Sequence, residues 1–249
     1  MNEGPTSALY GAIEHAYNHF NATLFEGKLP KVLFTVQRQK NVMGYFSLER
    51  WTSVGGDRCH EIAINPAYIA RAALLEVFQT LCHEMAHCFQ HCYGNPSRTA
   101  YHNKEWADHM ESIGLMPSTT GLPGGARTGQ KMNDYPLKGG AFIRECDVLV
   151  KGGFGLPWVD RQAESYTPVL SEEGASYINS LELEPESLDR LSSSLDQVVG
   201  EEVFADVKPA KGKVKSRYSC EGCSSNVWGK PGLRLACLSC DQELVESAS

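Results

Sequence analysis

Three histidines recur at every fourth position in Leu81–His91, "LCHEMAHCFQH": His83, His87 and His91. On a helix of ~3.6 residues per turn they fall on one side. His83 and His87, at i and i+4, can bring both imidazoles to one metal ion, and zinc suits such a donor pair. Glu84 lies about a hundred degrees around the helix from His83, beside the ion rather than on it. There it can take a proton from an activated water and pass it to a leaving amine, which is the chemistry of peptide hydrolysis. His91 cannot join the pair. Eight residues of helix are ~12 Å of rise, out of reach of an ion held at ~2.1 Å by the other two. It is expected at the helix end near Gly94, favoured by the C-terminal dipole. Cys82, Cys88 and Cys92 are expected to pack as small core residues.

A third ligand is expected from the next helical segment, "YHNKEWADHME", which offers His102, Glu105, Asp108 and His109. His102 heads that helix and Glu105 follows one turn on, so either could face the ion. The glutamate would give a gluzincin-like site and the histidine a three-histidine site.

A second constellation closes the chain. Cys220-x2-Cys223 and Cys237-x2-Cys240 in "YSCEGCSSNVWGKPGLRLACLSCDQEL" supply four thiolates, a closed and therefore structural zinc site. The residues between the pairs read as a hairpin with a Lys-Pro-Gly turn, the build of a zinc ribbon. Lys208, Lys211, Lys213, Lys215, Arg217, Lys230 and Arg234 gather positive charge here, and Trp228 could stack on a base. DNA is accordingly an expected partner of the linker and ribbon.

These groups need elements to hold them. A first helix is expected from a Thr6 or Ser7 cap to Gly27, with Leu9, Ile13, Ala16, Tyr17, Phe20 and Leu24 on its apolar face. Strands are expected at "VLFTVQ", "MGYFSL" and "EIAIN", then a long helix over Ala70–Tyr93 and another over Asn103–Ile113. Beyond residue 118 the chain turns Gly-, Ser- and Thr-rich, and "AFIRECDVLV" offers one ordered element. Glu172–Asp206 holds ten acidic residues and one basic, and in "KPAKGKVKSR" every charge is positive. The first reads as a partly helical spacer, the second as a flexible linker. "GGARTGQK" lacks the lysine and the preceding strand of a phosphate loop and is expected as a flexible loop. Cys59, His60 and Cys146 are read as structural.

The bulk numbers fit a globular protein: 249 residues, 42% hydrophobic and 21% charged. A net charge of −7 argues against uniform nucleic-acid binding. No apolar run approaches the ~20 residues of a membrane span and no signal peptide is apparent, so the nine cysteines are read in a reducing, cytoplasmic setting. The expected class is α+β, with a small antiparallel or mixed sheet and an active-site helix. The expected divisions are a protease domain at 1–120, a Gly-rich extension at 121–170, a spacer and linker at 171–217, and a ribbon at 218–246.

The HExxH helix, the following His-x-x-x-Trp (His102 to Trp106), "MESIGLMPS", "LFEGKLP", "MGYFS" and "EIAINP" together resemble the SprT-like (Spartan-type) metalloproteases over residues 8–117. That resemblance implies a zincin-like, minigluzincin-type domain with His102 as third ligand and Trp106 packed beneath the site. It leaves His109 and Tyr101 as candidates for the cleft, with core or surface packing the default. It implies that "EIAIN" is an edge strand that pairs with extended substrate. Many members end in a ribbon, and 121–160 resembles an extension found in some bacterial and plasmid-borne ones. The implied enzyme holds one catalytic and one structural zinc and cleaves protein bound or crosslinked to DNA, in a bacterial, phage or plasmid-type setting. The competing class is a non-catalytic, zinc-containing DNA-binding or regulatory protein on a zincin scaffold.

Overall fold

A computed structural model describes residues 4–39, 42–98, 101–161, 172–200 and 215–247. They form two compact units, Met1–Val207 and Lys208–Ser249. The architecture is mixed α and β with small sheets, as expected for the class. Among the described residues no helix is long and apolar enough to cross a membrane.

In the first unit, α1 (Pro5–Leu24) starts at Gly4 with Pro5 at its first position, so Thr6 and Ser7 lie inside the helix rather than capping it. Proline's fixed φ suits that position. At the other end the Gly27 amide returns to the Asn21 carbonyl at 2.7 Å. Strands β1 (Leu33–Val36), β2 (Gly44–Thr52) and β3 (Arg58–Ile64) form a sheet in the order β1-β3-β2. β1 runs parallel to β3 and β2 antiparallel to it. The "EIAIN" strand is therefore central, which corrects its expected place at the edge. Its residues 62–64 are buried on both faces, as a central strand's must be.

The long helix expected over Ala70–Tyr93 starts one turn later, at Leu74, and ends at Tyr93 as expected; a separate short helix precedes it. A short α2 (Pro66–Ile69) is capped by Asn65, whose side chain accepts from the Ala67 amide. α3 (Leu74–Tyr93) starts afresh where the Glu76 carboxylate takes the Ala73 amide at 2.9 Å. Its apolar face, including Leu75, Phe78, Leu81, Cys82 and Met85, is fully buried. α1 packs against it through Phe20, whose ring lies 5.3 Å from Phe78 and 5.9 Å from Phe142.

α4 (Lys104–Ser112) is capped by Asn103, which accepts from the Trp106 amide at 3.0 Å. β4 (Leu115–Ser118) and β5 (Asn133–Pro136) then pair antiparallel, and α5 (Ala141–Lys151) buries Phe142, Ile143, Cys146 and Leu149. α6 (Glu172–Asn179), α7 (Pro185–Ser192) and α8 (Leu195–Val199) fall in the acidic segment. Helical structure is present there, but the segment is no free spacer. Ile178, Leu181, Leu191 and Leu195 enter the same core as α1 and α3. Arg190 also donates to the carbonyls of Val150 and Phe154, fastening α7 to the end of α5. Composition hides this because isolated apolar residues sit among the acids.

In the second unit β6 (Ser216–Ser219) pairs with β7 (Asn226–Gly229), β8 (Ala236–Cys237) with β9 (Gln242–Glu243), and β10 (Val245–Ser247) with β6. The Lys-Pro-Gly turn thus does not join two strands that pair with each other, contrary to the expected hairpin. The buried Tyr218 holds that turn: its hydroxyl donates to the Lys230 carbonyl at 2.5 Å and accepts from the Leu233 amide at 2.9 Å. Lys208, Lys211 and Lys213, expected to contribute to the positive charge, lie outside the described residues.

Phe20, fully buried between α3 and α5, offers a test of this core. Phe20→Ala should lower unfolding free energy by about 3–5 kcal/mol, read from the urea midpoint of the first unit's transition.

Candidate metal centre and cleft

His83 and His87 project from α3, and His102 stands just before α4, bridged by backbone to Gly129. The Nε2 atoms of His83 and His87 each lie 3.1 Å from Nε2 of His102. Donors of a four-coordinate ion with ~2.1 Å bonds are separated by about 3.4 Å, so these three fit one zinc. The outward nitrogens complete the test. His83 Nδ1 is 3.1 Å from Asp134 Oδ2, and His102 Nδ1 is 3.1 Å from the Gly129 carbonyl. An acceptor behind each Nδ1 keeps the proton there and leaves the Nε2 lone pair aimed at the shared point.

Electrostatics point the same way. Burial, and then repulsion from neighbouring histidines, pushes His87 down to about 2 and His102 down to about 4. His83 differs: burial lowers it, but the Asp134 hydrogen bond and the charges of Glu84 and Asp134 outweigh that and raise it. Beneath all three rings lies Trp106, fully buried, with ring centroids 4.8, 5.3 and 4.4 Å from His83, His87 and His102.

The other candidates of the α4 segment are engaged elsewhere. The Glu105 carboxylate accepts from the Asn95 amide at 2.6 Å and from Gln90 at 3.0 Å, tying down the loop after α3. Asp108 pairs with Lys104 and Arg127. His109 stacks on Phe89 at 4.1 Å and 9°, a packing role. His91 stays outside the cluster, its ring 5.6 Å from Phe46, and lines the cleft as Tyr101 does.

Cys82, Cys88 and Cys146 are buried as expected, but Cys92 is exposed at the helix end. His60, Cys88 and Cys92 also bring ligand atoms together. Metal binding there meets an obstacle, because the Glu49 amide donates to His60 Nδ1 at 3.0 Å. That leaves the ring proton on Nε2, which faces Cys92 Sγ at 3.9 Å, and no lone pair for an ion.

Glu84 is 7% exposed and bordered by the histidines and β2. Burial raises its pKa, opposed by His83 and by a hydrogen bond from the Phe46 backbone. Gly44 makes the close approach of β2 possible. A Cβ there would sit 2.9 Å from the Ala63 carbonyl and from Thr80 Cγ2, and 3.5 Å from Glu84 Cγ. The cleft above these residues holds about 920 Å³. α3 lines it together with β2, residues 119–122, residues 130–136, and Gly174, Tyr177 and Ile178 of α6.

Two functional groups escaped the sequence reading: Asp134 and the Gly129 carbonyl. Both lie in the stretch expected as an accessory extension. The "GGARTGQK" part is a loop but a fastened one, with Arg127 bonded to Glu111 at 2.5 Å and to Asp108 at 3.3 Å. A lone Asp in "MNDYP" carries no local signature of a role 51 residues away, so no sequence signal would have found it.

In the second unit Cys220, Cys223, Cys237 and Cys240 place their sulfurs within reach of one ion, with Cys223 and Cys237 3.6 Å apart. Gly222 sits close beneath the cluster: a Cβ there would lie 3.0 Å from Cys240 Sγ and crowd it. Contacts with the Ser225 hydroxyl and amide hold the Cys223 thiol down at about 6. The described part of this unit is not strongly basic. Lys215, Arg217, Lys230 and Arg234 are matched by Glu221, Asp241, Glu243 and Glu246, and Arg234 pairs with Glu243 at 2.9 Å. Trp228 is 60% exposed.

Comparison with known proteins agrees with the motif reading. Residues 13–125 match the model of the SprT-like family, and that stretch of the chain is SprT-like. It contains His83, Glu84, His87 and His102 and ends before Gly129 and Asp134. A protein of Salmonella typhimurium, described as an uncharacterized protein in the mucB 3' region, is 43% identical over 47 residues, 19% of this chain. The chain spans 64% of that relative's length. No solved structure matches the chain.

The choice of third ligand can be checked by metal analysis. The full chain should carry two zinc ions; His102→Ala should carry one, and Glu105→Ala should keep both. Loss of an ion in the glutamate variant alone would reverse the assignment.

Proposed function

We propose that the chain is a zinc-dependent endopeptidase on a zincin-like, minigluzincin-type domain. The observation that carries this reading is the convergence of His83, His87 and His102 at one point of a cleft that also contains Glu84. Bound there, zinc supplies the Lewis acidity that makes water a nucleophile near neutral pH. Glu84 takes the proton of the attacking water and delivers it to the amide nitrogen as the peptide bond breaks. Its burial favours that shuttle, since a carboxyl with a raised proton affinity accepts and donates more evenly.

β2 takes over the role first assigned to "EIAIN". It has β3 on one side and the cleft on the other, and its Phe46 backbone already bonds to Glu84. An extended substrate paired along β2 would lie across the histidines, held mainly by backbone hydrogen bonds, so its sequence preference would be weak. The four cysteines hold a second, structural zinc.

The substrate we propose is protein bound or crosslinked to DNA. Support comes from the run of lysines in the sequence of the linker and from the exposed Trp228, a surface on which a base can stack. None of the nine cysteines is in a disulfide, which suits a cytoplasmic setting. A non-catalytic scaffold would have no need of a buried carboxylate beside the three histidines.

The test is proteolysis of a DNA-bound protein with and without DNA. Glu84→Gln should keep both zinc ions and lose cleavage by at least about a hundredfold, the scale of general acid–base assistance. Undiminished cleavage would refute the mechanism. Removal of residues 208–249 should abolish stimulation by DNA, and stimulation that survives would end the tether idea.

A further inference from the structure

The hydrogen bonds behind two of the three histidines come from residues that lie past the SprT-like stretch, which ends at 125. Asp134 is the stronger case. Its side chain is 6% exposed and both carboxylate oxygens are committed, Oδ2 to His83 Nδ1 at 3.1 Å and Oδ1 to Gln79 Nε2 at 3.0 Å. Gln79 also donates to the Asp134 carbonyl at 2.9 Å, so one side chain of α3 grips the residue twice. β5 carries Asp134 opposite Pro117 of β4, which fixes its position along the cleft.

Gly129 is held as firmly. Its amide and carbonyl exchange hydrogen bonds with the backbone of His102 at 3.2 and 2.9 Å, and the same carbonyl faces His102 Nδ1. Arg127 and the bond from the Thr119 amide to the Ala126 carbonyl, at 3.0 Å, pin the intervening loop against α4 and β4.

We infer that Asp134 and the Gly129 carbonyl are positioning groups for the zinc site, and that the segment 126–136 completes it. Asp134 fixes the ring rotation and tautomer of His83, and Gly129 does the same for His102. Without them each imidazole could turn or carry its proton on the nitrogen that must face the ion. Groups of this kind typically contribute 10–100-fold to metal affinity. The inference rests on the proposal that the histidines hold zinc, but it does not need the protein to be a peptidase.

The experiment measures zinc affinity of the full chain by competition with a chromophoric chelator, together with side-chain 1H–15N spectra of the histidines. The cysteine-bound ion serves as the internal reference. Asp134→Ala should weaken one of the two zinc sites 10–100-fold, leave the other unchanged, and remove the protected His83 Nδ1 proton. Asp134→Asn, which keeps an acceptor oxygen, should recover part of that affinity. Gln79→Ala, one step further from the ion, should give a smaller loss with the same change in the His83 signal. Unchanged affinity in Asp134→Ala with the His83 Nδ1 proton still protected would overturn the inference, and so would equal weakening of both sites. Because no substrate is involved, a zinc-loaded protein that cleaves nothing would count against the peptidase reading alone.

Discussion

Three imidazole nitrogens gathered at one point, two of them 3.1 Å from that of His102, impose the constraint on which the first unit depends. Lone pairs so placed repel, and only a cation at their centre turns the arrangement into a favourable one. Until an ion arrives, the polypeptide must hold them there by other means. Trp106 stiffens the cluster from below, touching all three rings from within a fully buried position. The core of α1, α3 and α5 keeps α3 from shifting along its own axis. Glu105, bound to Gln90 and Asn95, ties the loop that brings His102 back over α3.

The residues that could be read in the sequence are those whose geometry is local. The i, i+4 relation of His83 and His87 follows from helical pitch, and so does the exclusion of His91. The Cys-x2-Cys pairs are likewise short-range. His102 is harder to read, because pitch alone leaves Glu105 equally placed, and only the family motif separates them. What separates them physically is a capture that spacing cannot foresee: the Asn95 amide and Gln90 claim the glutamate first.

The helix starts at Pro5 and Leu74 are set locally; the larger misses share one cause, contacts between distant segments. "EIAIN" reads as an apolar strand whether it is central or at an edge, and only the parallel pairing with β1 decides. The acidic stretch reads as solvated because composition counts charges, whereas Ile178 of α6, Leu181 after it and Leu191 of α7 fold inward. Asp134 reads as a turn residue in a polar loop, and its neighbour in space is 51 residues away. Gly44 carries no signal beyond its type, although a single added methyl group would wedge β2 from α3.

The cleft brings these long-range contacts to bear on chemistry. One wall is β2, whose Phe46 backbone bonds to Glu84. Part of the opposite lining comes from residues 130–136 and from α6, where the Tyr177 hydroxyl donates to the Pro136 carbonyl at 2.9 Å and its ring meets Tyr135 edge-on at 5.3 Å. The same β5 that presents Tyr135 to α6 carries Asp134 to His83 on the adjacent residue. Alternation along a strand sends neighbouring side chains to opposite faces, so β5 can serve the histidines with one residue and the α6 contact with the next. A displacement of β5 would therefore disturb the shape of the cleft and the orientation of a metal-facing histidine together. Cleft and metal centre are mechanically one object, and that object extends beyond the stretch that the family motif defines.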